Sequence, residues 1–155
     1  MPKKNKAAGG KHQADDGDEP YQLDDQVGHL LRRANQRHTA LFAEHFAADG
    51  LTTLQFAALM KLAEWQSLSQ NQLGRLTAMD PNTIQGVVKR LASRGLLERQ
   101  PNPDDRRRIT LILTEPGKRL CAELAPNGLE ISRKTLDPLN AKEREQLLAL
   151  LRRIT

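Results

Sequence analysis

From residue 24 the apolar side chains recur three and four positions apart. Val27, Leu30, Leu31, Ala34, Leu41 and Phe42 form one stripe, with His38 and His45 set into it, and the pattern stops near Gly50. This spacing predicts a first helix beginning at Asp24. A second fits Thr53–Glu64, with Phe56, Leu59, Met60 and Ala63 on one face. Ser69 and Gln72 make an S-x-x-Q capping box, so a third helix starts at Ser69 and runs to about Thr77. Asp80-Pro81 is an N-cap followed by proline at the first helical position, and the fourth helix then stops at Gly95. Its inward stripe is Ile84, Val87, Val88 and Leu91.

Two extended runs follow, Leu96–Gln100 and Ile109–Leu113, around a turn-rich, charged tip at Pro101–Arg108. They predict one β-hairpin. Thr114 can cap a fifth helix holding Leu120, Cys121 and Leu124, which Pro126, Asn127 and Gly128 are expected to kink or break. Asn140 and Glu143 repeat the capping pattern before a last helix lined by Leu147, Leu148, Leu151 and Ile154. Residues 1–20 contain no Leu, Ile, Val or aromatic side chain. Their Lys3, Lys4, Lys6 and Lys11 are balanced by Asp15, Asp16, Asp18 and Glu19, so this stretch is expected to be a disordered tail.

The 155 residues suit one domain, 21–155, and with 3% aromatics its core must be aliphatic. One cysteine excludes an internal disulfide framework. No apolar run approaches the ~20 residues of a membrane span, and no signal-peptide core is present, so a soluble cytoplasmic protein without membrane contact is expected. Charge changes the picture more. Between residues 66 and 113, eight cations (Arg75, Lys89, Arg90, Arg94, Arg99, Arg106, Arg107, Arg108) face four anions (Asp80, Glu98, Asp104, Asp105), a net +4 of the chain's +5. That segment is the one with two short helices and a hairpin.

Two helices joined by a tight turn and followed by a basic hairpin describe a winged helix-turn-helix, in a chain that is otherwise mainly α. A helix about 10–12 Å across fits the major groove of DNA, and a hairpin tip can reach the adjacent minor groove. Outward on the fourth helix lie Asn82, Thr83, Gln85, Gly86, Lys89 and Arg90, a mix of hydrogen-bonding and cationic groups with a glycine for close approach. With Ser69 on the third helix and Arg106, Arg107 and Arg108 at the tip, they form the expected contact set for double-stranded DNA. A solvated polar face is the alternative reading for Lys89 or Arg94 taken singly.

The segments Ser69–Leu76, Asp80–Ile84, Val88–Leu91 and Gly95–Arg99 resemble the MarR family of transcriptional regulators, and Asp104–Gly117 resembles its wing and the helix that follows. The resemblance runs from about residue 24 to the C-terminus. It implies a homodimer in which helices at about 24–49 and 115–155 intertwine, around a winged helix-turn-helix at about 52–114. It also implies a pseudo-palindromic operator, with the fourth helix in the major groove and Arg107 in the minor groove, while Asp105 orients the tip by pairing with a neighbouring arginine. Independently, the first and last helices carry more aliphatic stripe than a small core can cover, which favours a subunit clasp.

Family members usually release DNA when a small, often aromatic and anionic effector binds between the dimer helices and the DNA-binding lobe. Candidate contacts are His38 and His45 on the apolar stripe, Asn35 and Arg37 at its edges, Phe42, and Trp65 at the end of the second helix. A buried histidine needs a partner, which a protein carbonyl could equally supply. The run Asn35–Ala40 resembles the repressors of nicotinate catabolism, which implies a hydroxylated pyridine carboxylate; an arginine with a histidine suits such a molecule.

No metal is expected, since His12, His29, His38 and His45 show no dense ligand spacing. Cys121 beside Leu120 and Leu124 reads as packing. No P-loop, G-x-S-x-G or H-E-x-x-H is present, so neither catalysis nor a cofactor is expected. The expected function is a ligand-responsive dimeric repressor, the alternative an architectural DNA-binding protein without an effector.

Overall fold

The computed structural model describes residues 20–102, 105 and 107–155. The expected tail at 1–20 lies almost entirely outside them, as do Arg106 and Asp104. Six helices and a three-stranded antiparallel sheet follow in the order α1 (Val27–His45), α2 (Thr53–Trp65), β1 (Ser67–Leu68), α3 (Gln70–Leu76), α4 (Pro81–Ser93), β2 (Leu97–Pro101), β3 (Ile109–Leu113), α5 (Glu115–Thr135) and α6 (Ala141–Ile154).

Capping chemistry sets most of these boundaries. Thr52/Gln55, Ser69/Gln72 and Asn140/Glu143 form reciprocal capping boxes at α2, α3 and α6. Asp80 accepts from the amides of Asn82 and Thr83 at 3.0 Å each at the head of α4.

Three expectations need correction. The first helix begins at Val27 rather than Asp24, after a single 3₁₀ turn at Leu23–Asp25. The Asp24 carboxylate is engaged in pairs with His29 at 3.3 Å and Arg33 at 3.9 Å. That helix also ends at His45, and the chain turns through Gly50 at φ +58°. The fifth helix is not broken: α5 runs continuously through Pro126, Asn127 and Gly128. Proline forfeits one helical bond, but Leu124 and Ile131 on either side are buried at 2% and 1% exposure and pin both halves to the core. Gly128 serves packing, since a Cβ there would lie 2.7 Å from Cζ of Phe56. Finally, the hairpin carries a third strand. β1 pairs with β3 (Ser67↔Ile112, Leu68↔Leu111), giving the order β1-β3-β2.

The core joins Leu59 and Leu62 of α2, Leu73 of α3, the α4 stripe Ile84, Val87, Val88 and Leu91, and Leu111 of β3. All three phenylalanines of the chain meet at one end of it. The Phe42 ring lies 4.4 Å from that of Phe46 and 5.5 Å from that of Phe56, and Phe46 lies 5.1 Å from Phe56.

The outer stripe of α1 meets a different environment. Val27, Leu30 and Leu31 are 67%, 49% and 45% exposed, and with Leu147, Leu150, Leu151 and Ile154 of α6 they line an apolar groove of about 510 Å³. No residue of α6 is buried within one protomer.

Candidate nucleic-acid interface and effector cavity

Burying the α4 stripe turns the opposite face outward. Asn82, Gln85, Lys89 and Arg90 are exposed along it. Two of the expected readers are already engaged. The Thr83 hydroxyl donates to the Asp80 carboxylate, which with the amides of the same turn holds that carboxyl below its usual range. Gly86 lies beside the Arg90 guanidinium, which a Cβ would meet at 3.5 Å. The Ser69 hydroxyl donates to Gln72 Oε1 at 2.8 Å and accepts from its amide at 3.3 Å, so its part is to fix the start of α3. Arg99 of β2 donates to Gln70 Oε1 at 3.2 Å and ties the sheet to α3.

At the wing, Asp105 organises the tip. One carboxylate oxygen accepts from the Arg107 amide at 3.1 Å and lies 3.3 Å from Arg107 Nε; the other lies 3.4 Å from Arg108 Nε. Its own amide donates to Asn102 Oδ1 at 3.3 Å. The carboxylate is two-thirds shielded, whereas the Arg107 and Arg108 side chains are 93% and 78% exposed. Two cations are thereby presented outward from a braced turn, the arrangement that minor-groove insertion requires.

A second feature lies behind this face. His38 and Phe42 of α1, Thr53, Phe56 and Ala57 of α2, and Gly128, Ile131 and Ser132 of α5 line an open cavity of about 190 Å³. His38 Nδ1 sits 3.1 Å from Thr135 Oγ1, and that hydroxyl donates its proton to the carbonyl of Ile131 at 2.8 Å. Nδ1–H is therefore the donor to Thr135. Nε2 makes no hydrogen bond among the described residues, and His38 is one of the residues that line the cavity.

His45 is in the opposite state. Its Nδ1–H donates to the carbonyl of Leu41 at 2.8 Å, and Nε2 accepts from Lys134 Nζ at 3.1 Å. Arg37 donates to the carbonyls of Thr135 and Lys134 at 3.3 and 3.2 Å, closing the C-terminal turn of α5. Asn35 is exposed, and Trp65 is 54% exposed at the last position of α2. Of the six expected effector contacts, the structure brings together His38 and Phe42.

Sequence reasoning missed the α2 and α5 walls. Phe56 reads there only as a core residue, and Gly128 reads as a helix breaker although it admits the Phe56 ring. A larger cavity of about 680 Å³ between α2, β3 and α5 holds none of the expected contacts. Cys121 lines it, with its thiol 3.7 Å from the Leu59 carbonyl and its pKa pushed up by burial, which disfavours the reactive thiolate. Among the described residues, no group of three His, Cys, Asp or Glu could hold a metal ion, and no helix is long and apolar enough to cross a membrane.

The geometry agrees with comparisons to known proteins. Residues 51–109 match the MarR family. The transcriptional repressor NicR of Pseudomonas putida is 43% identical over 135 residues, 87% of this chain and 85% of that one. A probable transcriptional regulator from Pseudomonas aeruginosa superposes with a TM-score of 0.82 at 48% identity, covering 86% of this chain and all of that one. BpsR of Bordetella bronchiseptica, whose DNA binding is regulated by 6-hydroxynicotinic acid, superposes with a TM-score of 0.82 at 39% identity over 88% of this chain and 97% of that one. Similarity of this extent spans α4, the braced wing and the long helices around the cavity alike, and the chain belongs to the MarR family of transcriptional regulators.

Proposed function

We propose that the chain is a homodimeric repressor that binds a pseudo-palindromic operator and lets it go when a small aromatic carboxylate, a hydroxylated nicotinate by kinship with NicR and BpsR, enters the cavity beside His38. The observation that carries the effector reading is His38, whose Nε2 has no hydrogen-bond partner among the described residues, in the lining of a cavity that it shares with Phe42, Phe56 and Ile131. An apolar slot with one oriented polar group suits a flat heteroaromatic ring bearing a hydroxyl. Protonated, the same nitrogen becomes a donor to a carboxylate.

The dimer reading rests on the apolar groove of α1 and α6. Half-exposed leucines in that number are supported by a second copy of the same surface, packed in isologous fashion. The proposed division is a DNA-binding lobe at about 52–114 and dimer helices at about 24–49 and 115–155. The DNA contacts proposed are Asn82, Gln85, Lys89 and Arg90 in the major groove and Arg107 and Arg108 at the wing. Thr83 and Ser69 support the helix starts. The proposed site of action is the cytoplasm, in keeping with kinship to bacterial transcriptional regulators.

The test is DNA release against 6-hydroxynicotinate concentration for wild type and His38→Ala, with thermal unfolding of both alongside. The variant should hold operator DNA as wild type does, unfold at a similar temperature, and fail to release. Release at the wild-type concentration would return His38 to a packing role.

A further inference from the structure

One side chain ties α4, the helix proposed to read DNA, to the loop that follows α1, and it belongs to neither residue set above. Arg94 is the C-cap of α4, its amide donating to the Arg90 carbonyl at 3.2 Å. Its guanidinium reaches back to the loop after α1. Nη2 donates to the carbonyl of Asp49 at 2.7 Å and Nη1 to that of Gly50 at 3.2 Å. Two adjacent carbonyls suit the planar fork of an arginine. Among the described residues, no other hydrogen bond or ion pair joins α4 to α1 or to the loop that follows it.

The loop's carbonyls are themselves fixed to the cavity wall. The amides of Asp49 and Gly50 both donate to the carbonyl of Phe46 at 3.2 Å. Phe46 is 1% exposed, and its ring packs at 4.4 Å on Phe42 and 5.1 Å on Phe56, the two aromatic walls of the cavity. At about 190 Å³ the cavity is smaller than the ~300–1,000 Å³ of ordinary small-molecule sites. A cavity of about 150 Å³ already holds a benzene ring, so a ring that also carries a carboxylate and a hydroxyl fits here in direct contact with both aromatic walls. In a close-packed interior any shift of those walls passes to Phe46 rather than into empty space. The Phe46 carbonyl then moves, and with it both acceptors of Arg94.

We propose that Arg94 is a positioning residue that transmits occupancy of the cavity to the setting of α4. The proposal rests on the effector reading above. Without the guanidinium, effector and operator each still bind, but each alters the affinity of the other far less, because coupling is reciprocal and this tie no longer carries the loop's shift to α4.

The experiment uses full-length wild type, Arg94→Met and Arg94→Lys. Operator dissociation constants are measured by fluorescence anisotropy with and without saturating 6-hydroxynicotinate, and the affinity for that compound alone by calorimetry. In wild type the compound weakens operator binding. In Arg94→Met the ratio of the two operator constants should fall at least tenfold, toward one, with affinity for the compound within twofold of wild type. Arg94→Lys, whose single ammonium can serve one carbonyl well, should fall between. An unchanged ratio in Arg94→Met overturns the proposal. So does loss of affinity for the compound in that variant, since Arg94 would then hold the cavity itself together. If Arg94→Met fails to fold, Arg94→Lys decides: a wild-type ratio there refutes the role. A wild type that binds the compound without releasing DNA refutes the coupling, whereas a wild type that does not bind it refutes the effector reading and removes the coupling's basis.

Discussion

Replacing Arg107 by alanine removes a cation from the outermost point of the wing. The side chain is 93% exposed, and its described bonds run to Asp105 only, through Nε at 3.3 Å and the main-chain amide at 3.1 Å. Alanine keeps the amide bond, so the turn stays closed. An ion pair at that exposure adds little to stability, and the unfolding temperature should shift by no more than about 4 °C. DNA binding should respond far more. If each wing neutralises one phosphate, a dimer loses two contacts, and the slope of log affinity against log salt flattens by about 1.8. Between about 50 and 200 mM salt, that difference amounts to about twelvefold less salt-induced weakening in the variant than in wild type. The loss should be greatest where the sequence flanking the half-sites is A·T-rich and its minor groove narrow. The assay is anisotropy on a labelled operator across a salt series, with Asp105→Asn beside it. That second variant unbraces the tip while keeping both arginines, so its affinity should drop without flattening of the slope. An Arg107→Ala variant with wild-type affinity and wild-type slope would remove Arg107 from the DNA contacts and refute the argument from exposure and charge.

Gln85→Ala should lower the ratio of operator to random-sequence affinity by about ten- to hundredfold per half-site if Gln85 reads an adenine edge in bidentate fashion; an unchanged ratio means that it reads no base. Leu30→Glu should dissociate the dimer in sedimentation velocity. Half-burying a leucine twice per dimer contributes about 1.5–3 kcal/mol, a ten- to hundredfold or larger change in dissociation constant before the cost of two buried carboxylates is added. Asp80→Asn should flatten the acid limb of the stability curve. The Asp80 carboxyl is held below its ordinary 3.8 by the Thr83 hydroxyl first and then by the α4 amides. Its stabilising effect is therefore complete above that ordinary value and is lost as pH falls through the lower folded-state value. Thermal unfolding from pH 5 to 2.5 checks it: wild type should lose stability more steeply than the variant below about pH 4.

Much of the fold is written in local chemistry, and that part was legible. Two capping pairs, Ser69/Gln72 and Asn140/Glu143, and the Asp80-Pro81 start mark helix beginnings through hydrogen bonds made within four residues, and the structure shows each of them; the box at Thr52/Gln55 emerges only in the structure. The α4 stripe was legible for the same reason, since four buried positions at helical spacing leave one outward face. What the sequence concealed depends on distant partners. Pro126 and Gly128 carry breaker chemistry, yet Phe56 packs onto Gly128 from more than seventy positions away and holds α5 in one piece. β1 is two residues long, too short for any alternation, and exists because β3 offers an edge.

The candidate site divides along the same line. Arg107 and Asp105 are neighbours in the chain, so their pairing could be anticipated. His38 and His45 look equivalent on one helical stripe, but Thr135 occupies one nitrogen of the first, while Leu41 and Lys134 occupy both of the second. Arg94 looks like one more surface cation until the loop at Asp49 and Gly50 is folded beneath it.

At the centre of the proposed function stands sequence-specific DNA binding that a small acid reverses. Its most direct test is the affinity of the full-length protein for a pseudo-palindrome taken from the DNA flanking its own coding region, against a scrambled duplex of equal length, at about 150 mM salt and with or without 6-hydroxynicotinate. Operator binding should be at least about a thousandfold tighter than binding to the scrambled duplex, with the preference for the operator lost when the acid is added. Equal affinity for the two duplexes, unaffected by the acid, would contradict it and make the protein an architectural DNA binder without an effector.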